Sequence, residues 1–207
     1  MPRIKADNIA EHVAQQRAAV LDAAVALFTT RGYADVTLAD IATEVGLARS
    51  SLYRYVPDKL HLLVEWYRSA VPRTIADWEA AVAGDDPPTE RTKRWARTYL
   101  TWAASPEHQL VAPLTDGLGH LDDATRSEVA TLHRTMMRVV AGVVADAGIP
   151  EAQVAGTVDV LAGATLGVAR VGDRVYLDLV IRGSDNIING NHLTADGKDG
   201  SLWALDL

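Results

Sequence analysis

Two short apolar patterns separated by one glycine, within Thr37 to Lys59 (TLADIATEVGLARSSLYRYVPDK), constrain this chain more than any other stretch. Leu38, Ile41, Ala42 and Val45 recur at helical spacing, and Thr37 with Asp40 three residues on makes a capping pair for that helix. Gly46 supplies a sharp turn and Leu47 fills the space between the helices. The next helix starts at Ala48, buries Ala48, Leu52 and Val56, and is stopped by Pro57. Asp58 then caps a further helix, with Lys59 in its first turn. Such a helix-turn-helix lays its second helix in the major groove of DNA.

A helix predicted from about Val13 to Thr30 precedes it, carried by Val20, Leu21, Ala24, Leu27 and Phe28 and ended by Gly32 and Tyr33. The second helix of the motif is left with Arg49, Ser50, Ser51, Tyr53, Arg54 and Tyr55 on its remaining surface. Arg49, in the first turn, has the reach and fork geometry for guanine O6 and N7. Hydroxyls and Lys59 suit phosphate oxygens, which position a protein without reading sequence. The set Thr37, Arg49, Ser50, Ser51, Tyr53, Arg54, Tyr55 and Lys59 is therefore the candidate DNA surface. The alternative is a plain three-helix domain with a solvated polar face.

Charge and composition narrow the rest. The net charge of −7 argues at first against nucleic acid, yet residues 1–73 hold nine Lys/Arg against eight Asp/Glu, and 74–207 hold eleven against nineteen. A near-neutral head on an acidic body fits a protein that touches DNA through one end. The absence of cysteine excludes disulfides, zinc-thiolate sites and thiol catalysis. No apolar run is long enough to span a membrane and no signal peptide is apparent, so a soluble cytoplasmic protein is expected. No cofactor is expected.

The segment from about Arg17 to Leu63 resembles the N-terminal domain of the TetR family of bacterial repressors. The resemblance rests on A-x-x-L-F followed by R-G-Y, on T-L-A-D-I-A-T-E-V-G-L, and on S-L-Y-R-Y-V-P-D-K. It covers under a third of the chain. It implies that Arg49, Ser51, Tyr53, Arg54 and Tyr55 face DNA and that Lys59 contacts phosphate. Val56 stands where the family usually has phenylalanine, and Leu60 where an acidic residue is common; both bear on packing. An all-α protein is implied, with a helix-turn-helix domain over 14–74 (motif about 37–56) and a ligand-binding, dimerising bundle over 75–207.

Beyond the head, Pro, Gly and Asp clusters divide the chain into helices of about 58–83, 89–104, 107–118, 122–147 and 151–171. Pro72 predicts a kink or a break in the first of these. Trp66, Tyr67, Trp78, Trp95, Tyr99 and Trp102 concentrate the aromatic residues in two helices, with Trp95, Tyr99 and Trp102 on one face. They form either ordinary core or a pocket for a flat, apolar effector. Trp66, Tyr67, Trp95, Tyr99, Trp102, Asp116 and His120 are the candidate effector residues. Asp116 and His120, four apart, are too few to specify a metal, and His108 and His133 read as solvated or hydrogen-bonded.

Val129, Leu132, Met136, Val140 and Val143 form an apolar stripe, and small residues (Ala155, Gly156, Ala162, Gly163, Gly167) mark the helix after it. This pair predicts half of a four-helix dimer interface or, alternatively, core within one subunit. Residues 171–207 depart from the family pattern: Arg174–Ile181 alternates like a strand or extends the helix, 183–200 favours turns or disorder, and Trp203 and Leu205 could tuck back onto the bundle. The expected function is a homodimeric repressor released from a palindromic operator by a small effector, and not an enzyme. An activator, or a small all-α enzyme using the aromatic pocket, is the alternative.

Overall fold

The computed structural model describes the backbone of residues 2–171 and the side chains of 11–166. The readings made above for 172–207, including Trp203 and Leu205, lie outside the described residues. Among the described residues every regular element is helical, in the order α1 (Pro2–Arg31), α2 (Leu38–Glu44), α3 (Arg49–Leu52), α4 (Lys59–Val82), α5 (Pro88–Ala103), α6 (Val111–Gly117), α7 (Asp123–Asp146) and α8 (Glu151–Val171). No described helix is long and apolar enough to cross a membrane. The described residues form two compact units, one of residues 2–70 with 106–130, the other of 71–105 with 131–171. The helices α4 and α7 contribute to both.

In the first unit, the period of α1 puts Val20, Ala24 and Phe28 on one buried face. Full burial of such side chains contributes about 1.5–3 kcal/mol each for the larger ones. Gly32 ends the helix at φ 92°, donating to the Phe28 carbonyl at 3.0 Å, and Tyr33 then meets the Phe28 ring edge-on at 5.1 Å. Ile41, Ala42, Leu52 and Val56 complete the core of the motif. Charged pairs tie the longer helices together: Arg17 Nε donates to Glu65 at 3.0 Å, and Arg68 grips Glu128 with two bonds of 2.6 Å. Both are half-open to solvent and contribute of order 0.2–1 kcal/mol each. The segment 106–110 is held from two sides, by Trp66 Nε1 donating to Glu107 at 3.0 Å and Gln109 donating to the Thr29 carbonyl at 2.8 Å.

The second unit is organised by α5, which packs against α8. Arg91 and Arg94 reach back from α5 to the last carbonyls of α4: Arg91 Nε to Val82 at 2.8 Å, and Arg94 to Ala81 and Ala83 at 2.7 and 3.0 Å. Cationic donors there satisfy orphan carbonyls and complement the negative end of the helix. Gly84, at φ 95°, makes the turn that follows. In α7, Met136, Val140 and Val143 are buried within the subunit, so this part of its apolar stripe is internal core. In α8, Val158, Leu161 and Thr165 are buried, whereas Gly156, Val160 and Gly163 are exposed.

Two helix boundaries, and the path at Pro72, differ from the sequence expectation. The first helix starts at Pro2, not near Val13, since no residue between them breaks helical geometry and proline is tolerated in a first turn. The expected helix 107–118 is a 3₁₀ turn (Pro106–Leu110), then α6, then a second 3₁₀ turn (Leu118–His120). Pro113 lacks the N–H that an uninterrupted helix needs, and it fits in the first turn of α6, where that donor is unpaired anyway. The helix over α4 does not break at Pro72; it runs through it.

The last residue of α6 sets a tight approach. A methyl group on Gly117 would collide with the terminal carbons of Leu60 in the first turn of α4. The atoms met are the movable end of a half-buried side chain, so Gly117→Ala is expected to change stability by less than about 1 kcal/mol, the gain in helix propensity offsetting the displacement of Leu60. Leu60→Ala in the same chain should remove the collision. Chemical denaturation of the two single variants and the double variant measures the compensation.

Candidate nucleic-acid interface

The motif is built from two helices too short to persist alone, α2 with seven residues and α3 with four. A reciprocal capping box starts α2. Thr37 Oγ1 accepts from the Asp40 amide at 3.2 Å, and Asp40 Oδ2 accepts from the Thr37 amide at 2.8 Å and its hydroxyl at 2.6 Å. The Leu47 amide closes the end of α2 by donating to Ala42 at 2.8 Å, with Gly46 at φ 69° making the turn.

Beyond Leu52 the expected helix tightens. Arg54 and Tyr55 amides donate three residues back, to Ser51 at 3.2 Å and Leu52 at 2.9 Å, before Pro57 ends the path. Ala48 is exposed, contrary to expectation, because it occupies the N-cap with extended backbone and so points off the helix. Leu52 and Val56 are buried as expected. Arg49, Ser50, Tyr53 and Arg54 are exposed, and Ser51 and Tyr55 half-buried. Among the described residues, none of these six side chains is engaged by an acidic or hydrogen-bonding partner.

Thr37 and Lys59 differ from the other six. Thr37 has its hydroxyl and amide committed to the cap. The Lys59 ammonium lies 4.4 Å over the Tyr33 ring and donates to the carbonyls of Tyr33 and Val36, each at 2.7 Å. Partial burial lowers its pKa, with Asp35 opposing the shift.

The candidate effector residues fall in different places. Trp66 and Tyr67 belong to the first unit and are buried; the Trp66 indole is bonded to Glu107 and burial pushes the Tyr67 phenol up to about 12. Asp116 and His120 are exposed in an open groove of about 820 Å³ that Arg49, Tyr53, Lys59 and Leu60 also line. Trp95, Tyr99 and Trp102 come together in the second unit with Trp78. There Trp78 meets Trp95 edge-on at 5.4 Å and Tyr99 at 5.2 Å, while Tyr99 stacks on Trp102 at 5.8 Å. Trp78 and Trp95 are wholly buried, and neither indole N–H has an acceptor. Among the described residues no group of three or more His, Cys, Asp or Glu could hold a metal.

This arrangement is a helix-turn-helix whose polar outer face has no side-chain partner among the described residues. The model of the bacterial regulatory proteins of the tetR family matches residues 20–66. The HTH-type transcriptional repressor KstR of Rhodococcus jostii (strain RHA1) is 29% identical over 144 residues, 68% of this chain, and the chain spans 65% of that relative's length. Among solved structures, the TetR family regulator PfmR from Thermus thermophilus superposes with a TM-score of 0.60 at 20% identity, over 74% of this chain and 86% of that one. AibR, solved with isovaleryl coenzyme A and operator DNA, superposes with a TM-score of 0.60 at 17% identity, over 76% and 88%. Over residues 20–66 the chain is thus similar to the tetR family of bacterial regulatory proteins, and over most of its length its fold is similar to those of solved regulators of that family.

The capping box makes a pH-dependent contribution. Donation from the Thr37 hydroxyl and then its amide holds the Asp40 carboxyl below its ordinary value. A carboxylate depressed in the folded state stabilises above its unfolded pKa of about 3.9, and that contribution is lost as pH falls through the folded value. Thr37→Ala should cost about 1 kcal/mol at neutral pH. Denaturation at several pH values should show the gap to the wild type narrowing below about pH 4.

Proposed function

We propose that this chain is a homodimeric transcriptional repressor whose 14–74 head reads a palindromic operator and whose 75–207 body binds a small apolar or aromatic effector that releases it. One observation carries the DNA assignment: six polar and aromatic side chains, Arg49 to Tyr55 without the buried Leu52, stand on one short segment with no partner among the described residues. Two of them are arginines on the second helix of the motif, the element that enters a major groove in helix-turn-helix proteins. The similarity to KstR supports repression, and the AibR complex supports an effector and an operator acting on one protein of this fold.

The effector reading rests on the second unit. Burying an indole N–H without an acceptor costs about 1–3 kcal/mol. Trp78 and Trp95 both carry that cost, which favours an effector that brings its own acceptor, such as a carbonyl or ether oxygen, on an apolar frame. Release requires that this molecule bind the DNA-incompetent state more tightly than the competent one.

The dimer reading rests on exposed glycines. Gly142 in α7 and Gly156 and Gly163 in α8 have open space where a side chain would stand, so nothing among the described residues demands glycine there. Each lowers intrinsic helix stability by about 1 kcal/mol relative to alanine. A second subunit crossing closely at this face accounts for them. Gly156→Leu should convert the dimer to monomer in analytical ultracentrifugation without lowering the unfolding temperature of the isolated subunit; a persisting dimer places the interface elsewhere.

Selection from random DNA duplexes, followed by titration at several salt concentrations, tests the regulator itself. Specific binding should fall steeply with salt. Arg54→Ala should reduce the slope of log K against log salt by about one. Arg49→Ala should cost about 1–3 kcal/mol and relax preference at one base pair. Failure to enrich any sequence would remove the proposal.

A further inference from the structure

We propose that Lys59 is a positioning residue for DNA reading, the clasp that closes the helix-turn-helix at its base, and not a contact to phosphate; this rests on the DNA-binding reading above. The residues it bonds define the role. Tyr33 and Val36 lie just before the motif, in the link from α1 to Thr37, while Lys59 lies just after it, at the start of α4. One ammonium therefore joins the chain entering the motif to the chain leaving it, across separations of 26 and 23 residues.

A lysine ammonium has three donors and no acceptor. Two are already committed to carbonyls at 2.7 Å, and the cation also lies over the Tyr33 ring. That ring in turn rests edge-on against Phe28, in the buried face of α1. The stack Phe28–Tyr33–Lys59 thus fixes the exit of the reading segment to the α1 core. At most one donor of Lys59 is left for a phosphate while the clasp is closed, whereas Arg49 and Arg54 have no side-chain partner among the described residues.

The two roles differ in what they do to salt dependence. Removing a cation that pairs with phosphate lessens counterion release and flattens the salt slope by about one, whereas removing a clasp does not. Lys59→Met keeps the aliphatic stem and removes the donors. Using duplexes selected by the wild-type protein, this variant should bind the selected sequence at least tenfold more weakly with an unchanged slope. The ratio of selected to random affinity should fall, a change that a uniformly smaller folded fraction does not produce. Arg54→Met provides the contrast, with a flatter slope. Amide exchange over residues 37–56 should also quicken in Lys59→Met while α5 and α8 keep their protection.

A slope reduced by about one with exchange unchanged would overturn the clasp and restore Lys59 to the phosphate surface. Should Lys59→Met fail to fold, Tyr33→Leu removes only the ring beneath the ammonium; it should reduce the selected-to-random ratio with the slope intact, and an unchanged ratio overturns the proposal. A wild-type protein that enriches no sequence instead defeats the regulator reading, and the exchange comparison alone then decides the clasp.

Discussion

A helix of four residues cannot hold itself together, because nucleating a turn fixes several dihedrals for a single hydrogen bond. The helix-turn-helix of this protein consists of α3, which is that short, and α2, which is barely longer. Its geometry is therefore imposed from outside. Leu52 and Val56 are pinned in the core, Thr37 and Asp40 satisfy the start of α2, Gly46 permits the turn, and Lys59 closes the base. The outward-facing side chains from Arg49 to Tyr55 gain a defined direction without bonds of their own among the described residues. A face left uncommitted on a frame held at its margins is what recognition of an external partner needs.

The second unit uses polar and aromatic chemistry differently. Arg91 and Arg94 close the C-terminal end of α4 and also pair with Asp146 and Asp86, so their charge is taken up inside the unit. The Trp78–Trp95–Tyr99 cluster supplies apolar volume but leaves two indole donors without acceptors. Aromatic packing with edge-on geometry contributes about 0.5–1.5 kcal/mol per pair beyond area burial. That contribution offsets part of what the orphaned donors cost, leaving a core that is stable and still chemically unsatisfied at two atoms.

Much of this was legible in the sequence where the signal is local. Helices expected over 58–83, 89–104, 122–147 and 151–171 correspond to Lys59–Val82, Pro88–Ala103, Asp123–Asp146 and Glu151–Val171. Each is bounded by proline, glycine or aspartate, whose effects act within a turn of the boundary. The capping box was legible for the same reason. What escaped were contacts between distant residues. Nothing in the residues around Lys59 reveals that its ammonium bonds carbonyls more than twenty positions earlier, or that Trp66 donates to Glu107. The apolar stripe of α7 showed that a face is buried but not against what, and Met136, Val140 and Val143 proved internal. Trp66, Tyr67, Asp116 and His120 were grouped with Trp95 by residue type, whereas their surroundings in the fold differ.

The closure at Lys59 also bears on how such a head can be exchanged between proteins. A graft cut at the ends of the motif, from Thr37 to Val56, would leave behind both carbonyl acceptors and their donor. A graft from Phe28 to Lys59 carries the ring, the carbonyls and the ammonium together. The unit of transplantation is thus longer than the unit of reading. Its edges are set by where the backbone closes on itself, not by the limits of the proposed DNA surface.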